Sequence, residues 1–158
     1  DKDAVNASMI ICEMVSYYKE KGKTLYDAMA DLYGKYGYYI NETCNFTFEG
    51  EDGMIKMDNI MDGLRTNSPS EISGMKVISA SDYKNSVKIY SDGRKEDVYL
   101  PKSNVLEYVL EGRCKLIVRP SGTEPKIKVY LSAAGEKKED AVALIESLKI
   151  SANEIVSV

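Results

Sequence analysis

Apolar residues return at helical spacing twice within the first thirty-eight positions. In "AVNASMIICEMVSYYKEKG", Ala4, Ser8, Ile11, Val15 and Tyr18 recur every three or four residues and share one face. Asp3 stands where an N-cap belongs, and Gly22 closes the segment. Thr24 then opens a second helix, with Asp27 three residues later as a capping box. Leu25, Ala28, Met29, Leu32, Tyr33 and Tyr36 line its apolar side, and Gly37 is a natural stop. The Met and Tyr stripes on these helices read as core packing rather than as a partner groove.

The period changes from helical to alternating at "YYINETCNFTFEG", where Cys44, Phe46 and Phe48 interleave with Thr43, Asn45 and Thr47. A strand there begins a new domain, which divides the chain into a helical segment, 1–38, and a second domain, 39–158. After "EDG" a helix carries Met57, Ile60, Met61 and Leu64 on one side and ends in the breaker-rich "TNSPS". Six short strands follow: "MKVISASDY", "SVKIYSDG", "EDVYL", "NVLEYVLEG", "CKLIV" and "KIKVYLSA". Asp92-Gly93 is a hairpin turn, and Pro101 cuts short the strand signal of "EDVYL". A last helix places Ala141, Leu144, Ile145, Leu148, Ala152 and Ile155 on one face. Consecutive hairpins plus two helices predict an α+β fold, a largely antiparallel sheet with two helices packed on one face. The two-helix segment precedes it.

Composition narrows the function classes. A content of 44% hydrophobic and 29% charged residues is globular. No apolar run reaches the roughly 18 residues of a membrane span, and no secretory signal pattern is present. The sequence opens on Asp1 and its first methionine is Met9, as expected of a piece of a longer protein. A net charge of −4 without a basic stripe argues against nucleic acid as a partner, so any anion site must be local. Cys12, Cys44 and Cys114 lack metal-ligand spacing and read as free thiols of a reducing, cytoplasmic compartment. The absence of histidine excludes a Ser-His triad, a histidine general base and any histidine metal ligand within these residues.

One segment concentrates binding chemistry: "RPSGTEP", Arg119 to Pro125. Pro120 biases Arg119 toward an extended conformation, which aims the guanidinium. Ser121 and Thr123 bring hydroxyls, Gly122 allows close backbone approach, and the loop amides can form an anion nest. Arginine suits a tetrahedral oxyanion because its planar fork donates two charge-assisted hydrogen bonds. Lys126 and Lys128 add positive potential on the face opposite Ile127, Val129 and Leu131. Glu124 opposes an anion unless it turns away, and is expected to orient Arg119 or bond the loop backbone. The same residue types also suit a hairpin turn that holds nothing.

The string "RPSGTEPKIKVY" resembles the C-terminal phosphate-binding loop of the α-D-phosphohexomutases, the phosphoglucomutases and phosphomannomutases. The resemblance spans the chain: residues 1–38 look like the final helices of that family's third domain, and Ile40 onward looks like its fourth, whose fold is TBP-like. It implies a four-domain isomerase that interconverts hexose 1- and 6-phosphates through a phosphoserine in the first domain. Magnesium is implied in a second-domain acidic loop, and a Gly-Glu-Glu-Ser type loop in the third domain reads the sugar. The fourth domain grips the phosphate that is not being transferred. Matched residue by residue, Arg119, Ser121, Gly122 and Thr123 are the phosphate ligands, with Lys128 as a further candidate. The family's Ser-His-Asn-Pro type catalytic segment and Asp-x-Asp-x-Asp metal loop are not found in these residues. The chain alone is therefore expected to be inactive, to bind glucose or mannose phosphate weakly, and to self-associate through its first two helices. The competing expectation is a noncatalytic α+β interaction module whose RPSGTEP segment is a structural turn.

Overall fold

The caps read from the sequence set the first helices. The computed structural model describes residues 2–157 and divides into two units, one reaching to Tyr38 and the other beginning at Tyr39. In the first unit, α1 (Ala4–Glu20) starts where the Asp3 carboxylate accepts the Asn6 N–H at 2.9 Å. α2 (Leu25–Tyr36) starts with a reciprocal capping box. There the Asp27 N–H donates to the Thr24 hydroxyl at 3.2 Å, and the Thr24 N–H donates to the Asp27 carboxylate at 2.8 Å. The Gly37 N–H closes the helix on the Tyr33 carbonyl, and the rings of Tyr33 and Tyr38 stack with centroids 4.8 Å apart.

The apolar stripes of these helices are not core. Met9, Met29 and Tyr36 are 67%, 48% and 55% exposed, and Ala28 alone is buried among the described residues of either helix. Two short helices can bury only a narrow seam against each other, so amphipathic spacing here marks a face without marking its cover.

In the second unit β1 (Tyr38–Thr47) leads to α3 (Gly53–Thr66), then to β2 (Glu71–Ile72), β3 (Met75–Asp82), β4 (Val87–Tyr90) and β5 (Lys95–Asp97). β6 (Leu106–Leu110), a 3₁₀ turn at Glu111–Arg113, β7 (Cys114–Pro120), β8 (Lys126–Gly135) and α4 (Lys138–Val156) complete it. The strands lie in the order β1-β8-β7-β6-β3-β4-β5, with β2 beside β3. The ladders joining β2 through β8 run antiparallel, as the succession of hairpins predicts.

Alternation decides which face the helices cover. Leu116 and Val118 of β7 and Ile127, Val129 and Leu131 of β8 point to one side and are essentially inaccessible. Met57 and Met61 of α3 and Ile145, Leu148 and Ala152 of α4 close over them in a single apolar cluster. Burying each such aliphatic side chain is worth roughly 1.5–3 kcal/mol, so this layer holds the unit together. The end of α3 is fastened separately. Arg65, largely shielded from solvent, meets Asp82 at 3.4 Å and Asp62 at 3.2 Å and also bonds Asn104.

Two features went unseen in the sequence. β2 is only two residues long, joined to β3 by Ser73-Gly74, both at positive φ, as a type I′ hairpin requires. The Ser73 hydroxyl bonds the Ser147 carbonyl and the Ser151 hydroxyl on α4, so a tertiary contact sustains what periodicity cannot show. β5 stops at Asp97 rather than continuing to Leu100.

The capping box carries a pH dependence of definite sign. Hydrogen bonds from the Thr24 backbone, then its hydroxyl, hold the Asp27 carboxyl below its ordinary value. Its contribution is thus fully present above the unfolded carboxylate pKa, about 3.9, and is lost as pH falls through the lower folded value. Protection of the amides in the first turn of α2, measured relative to their intrinsic exchange rates, should fall on acidification through that window. In Asp27→Asn the turn should be less protected at neutral pH and lack this acid transition.

Candidate functional site

β7 and β8 place the site by the same alternation that builds the core. Val118 and Pro120 are buried, as are Ile127 and Val129, so Arg119 and Lys128 between them are exposed on the face away from α3 and α4. Arg119 and Lys128 are also direct cross-strand partners. Antiparallel partners stand with Cα atoms about 4.5–5.5 Å apart, and like charges so placed repel. Among the described residues neither cation has a carboxylate within ion-pair distance. Two unneutralised cations thus stand side by side at the mouth of the loop.

The loop closes on its own backbone. The Ser121 N–H donates to the Lys126 carbonyl at 2.7 Å, extending the ladder one rung, and the Lys126 N–H donates to the Glu124 carbonyl at 2.7 Å. The Thr123 N–H reaches the Ser121 hydroxyl oxygen at 3.4 Å, a long contact. That oxygen acts as acceptor, so the Ser121 hydroxyl proton is left to donate outward. At the base, the Phe48 N–H at the end of β1 donates to the Pro125 carbonyl at 2.8 Å. A methyl group at Gly122 would meet nothing within 4 Å, so this stretch of backbone is open to an approaching ligand.

The sequence-predicted residues are therefore brought together. Arg119 and Lys128 form the cationic pair, and half-buried Ser121 and exposed Gly122 and Thr123 lie in the turn after Arg119. Two expectations need revision. The Ser121 amide closes the hairpin, so the anion nest loses one of its donors. Glu124 is exposed and makes no ion pair with Arg119 among the described residues; its carbonyl, not its carboxylate, serves the loop. Sequence reading missed the brace from Phe48, and the start of α3 beside Pro125. The one local signal was a glycine, Gly53, where α3 begins.

Concavity alone does not find this loop. One groove, about 640 Å³, is lined by residues that include Phe46, Phe48, Ile60, Leu64 and Ile155 and by none of residues 119–128. An open cationic platform resembles one wall of a cleft more than a pocket.

Residues 77–146 match the family profile described as "Phosphoglucomutase/phosphomannomutase, C-terminal domain". The phosphoglucomutase of Staphylococcus haemolyticus is 39% identical over 133 residues, covering 84% of this chain and 24% of that protein. That of Staphylococcus aureus strain RF122 is 38% identical over 152 residues, covering 96% and 27% respectively. This chain belongs to the phosphoglucomutase/phosphomannomutase family and carries its C-terminal domain. It spans about a quarter of the length of these relatives. The fold agrees. A solved structure of pp63/parafusin, a phosphoglucomutase of Paramecium in its open form, superposes with a TM-score of 0.61 at 15% identity, covering 99% of this chain and 27% of that one.

The family resemblance implies magnesium, but the described residues offer it no gathered ligand set: among them no three Asp, Glu, Cys or His side chains come together. Likewise, no helix among the described residues is long and apolar enough to cross a membrane.

The cationic pair gives a test with opposed readouts. Lys128→Glu turns a repulsive cross-strand pair into an attractive one, a change of roughly 0.2–1 kcal/mol for such pairs in general. Its urea midpoint should rise slightly, while binding of inorganic phosphate followed by NMR should weaken by at least about tenfold. A lowered midpoint, or unchanged binding, counts against the arrangement described.

Proposed function

We propose that this domain binds the phosphate of a hexose phosphate that is not being transferred while its parent enzyme interconverts the 1- and 6-phosphates. The carrying observation is the juxtaposed, unneutralised pair Arg119 and Lys128 beside an exposed hydroxyl-bearing turn. A tetrahedral dianion relieves their repulsion and accepts hydrogen bonds from both. Arg119 supplies the planar fork, Lys128 the second charge, Ser121 and Thr123 their hydroxyl protons, and Gly122 its backbone N–H. The family's relatives named as phosphoglucomutases support this reading.

In the proposed parent, an isomerase-class phosphotransferase, the reacting serine and the magnesium ligands lie in residues outside this chain. Holding the spectator phosphate lets the sugar present either end to the reacting group. The chain by itself is therefore inactive, and its affinity is weak because the other walls of the cleft contribute the rest. Glucose and mannose phosphates both satisfy the loop, since it touches phosphate rather than sugar. The cytoplasm, where sugar phosphates are made and used, is the proposed compartment. The exposed apolar face of α1 and α2 is proposed to drive self-association of the isolated chain.

A second reading has one observation in its favour. The Ser121 and Lys126 amides satisfy the turn internally, as they would in a hairpin of purely structural purpose within a noncatalytic module.

Titration of the isotope-labelled chain with glucose 6-phosphate distinguishes the two. The Gly122 and Thr123 amides and the Arg119 side-chain N–H should shift together. Arg119→Ala, losing two charge-assisted bonds of roughly 1.5–3 kcal/mol each, should remove the response. Silence of these resonances at ligand concentrations on the order of tens of millimolar, weak even for a single-wall site, would leave only the structural turn.

A further inference from the structure

The inference rests on the phosphate reading above and concerns how the loop is held in position. α3 begins without side-chain capping. Its N-cap residue, Asp52, makes no side-chain capping bond, and Gly53, the first residue, is a poor helix former. Glycine is not required there by backbone conformation, because its φ lies outside the left-handed region. It is required by space. A methyl group on residue 53 would sit 2.5 Å from the Phe48 carbonyl oxygen and 2.8 Å from the Pro125 Cβ, both closer than real contacts allow. By contrast, a methyl group at Gly63, nearly three turns along the same helix, would meet nothing within 4 Å.

These distances tie three segments into one joint. β1 ends by giving the Phe48 N–H to the Pro125 carbonyl, and the chain folds back so that α3 starts against the same proline. Pro125 closes the loop that Arg119 opens, and Lys126, which follows it, accepts the Ser121 N–H. The position of Pro125 thus fixes the far side of the turn carrying Ser121, Gly122 and Thr123. α3 cannot yield by sliding, since Met57 and Met61 are locked in the core and Arg65 is fastened at its other end.

We infer that Gly53 is a positioning residue of the phosphate loop. It allows the start of α3 and the end of β1 to clamp Pro125, and so holds the loop donors in register with Arg119 and Lys128. A side chain at position 53 displaces Pro125 and with it the turn.

The test compares Gly53→Ala with Gly63→Ala in the same labelled chain. Without ligand, Gly53→Ala should shift the amide resonances of Ser121 to Lys126 and speed exchange of the Phe48 amide, while leaving those of Leu106 to Leu110 in place. Its affinity for inorganic phosphate should fall by at least about tenfold, the scale expected when donors are misplaced by a fraction of an ångström to an ångström. Gly63→Ala should leave both the loop resonances and phosphate affinity unchanged. If Gly53→Ala does not fold, Pro125→Gly removes the clamped Cβ from the other side and should weaken phosphate binding by a similar factor. Wild-type loop resonances and affinity in Gly53→Ala overturn the inference while leaving the phosphate site intact. Loop shifts in Gly53→Ala accompanied by no phosphate response in the wild-type chain overturn the phosphate reading, and the role of Gly53 in holding a ligand loop with it.

Discussion

The pairing of β7 with β8 is the constraint on which the rest depends. One antiparallel ladder sends Leu116, Val118, Ile127, Val129 and Leu131 into the core and, by the same alternation, leaves Arg119 and Lys128 together on the opposite face. A one-residue slip would bury both cations and expose the core residues, so the register that makes the domain stable also makes the candidate site. Site and core are therefore not separate achievements of the sequence. The repulsion between the two cations is tolerated because a burial term many times larger fixes the strands beneath them.

The second constraint acts at the loop's base. The Phe48 amide and the glycine at the start of α3 converge on Pro125, so the turn is held at its far end as well as by the strand that delivers Arg119. Binding groups gain from such support because donors already in place need no ordering when a ligand arrives. The tip itself remains open, with Gly122, Thr123 and Glu124 exposed.

Much of this was legible in the chain. The switch from helical to alternating periodicity near Tyr38, the capping box at Thr24 and the faces of α3 and α4 all follow from local pattern, because local energetics set them. Arg119, Ser121, Gly122, Thr123 and Lys128 were readable as a group since they lie within ten residues. What was not legible depends on contacts distant in sequence. β2 exists because Ser73 bonds α4, and Pro125 is braced from residues some seventy positions earlier. The exposure of the Met and Tyr stripes in α1 and α2 was misread for a related reason. Periodicity tells which residues share a face and is silent about what covers it.

A crystal structure of the chain grown with glucose 6-phosphate tests the central claim most directly. The account predicts ordered phosphate bridging Arg119 and Lys128, within hydrogen-bond reach of the Ser121 and Thr123 hydroxyls and the Gly122 N–H. An empty loop at saturating ligand, with Glu124 folded back onto Arg119, would contradict it and leave the segment a structural turn.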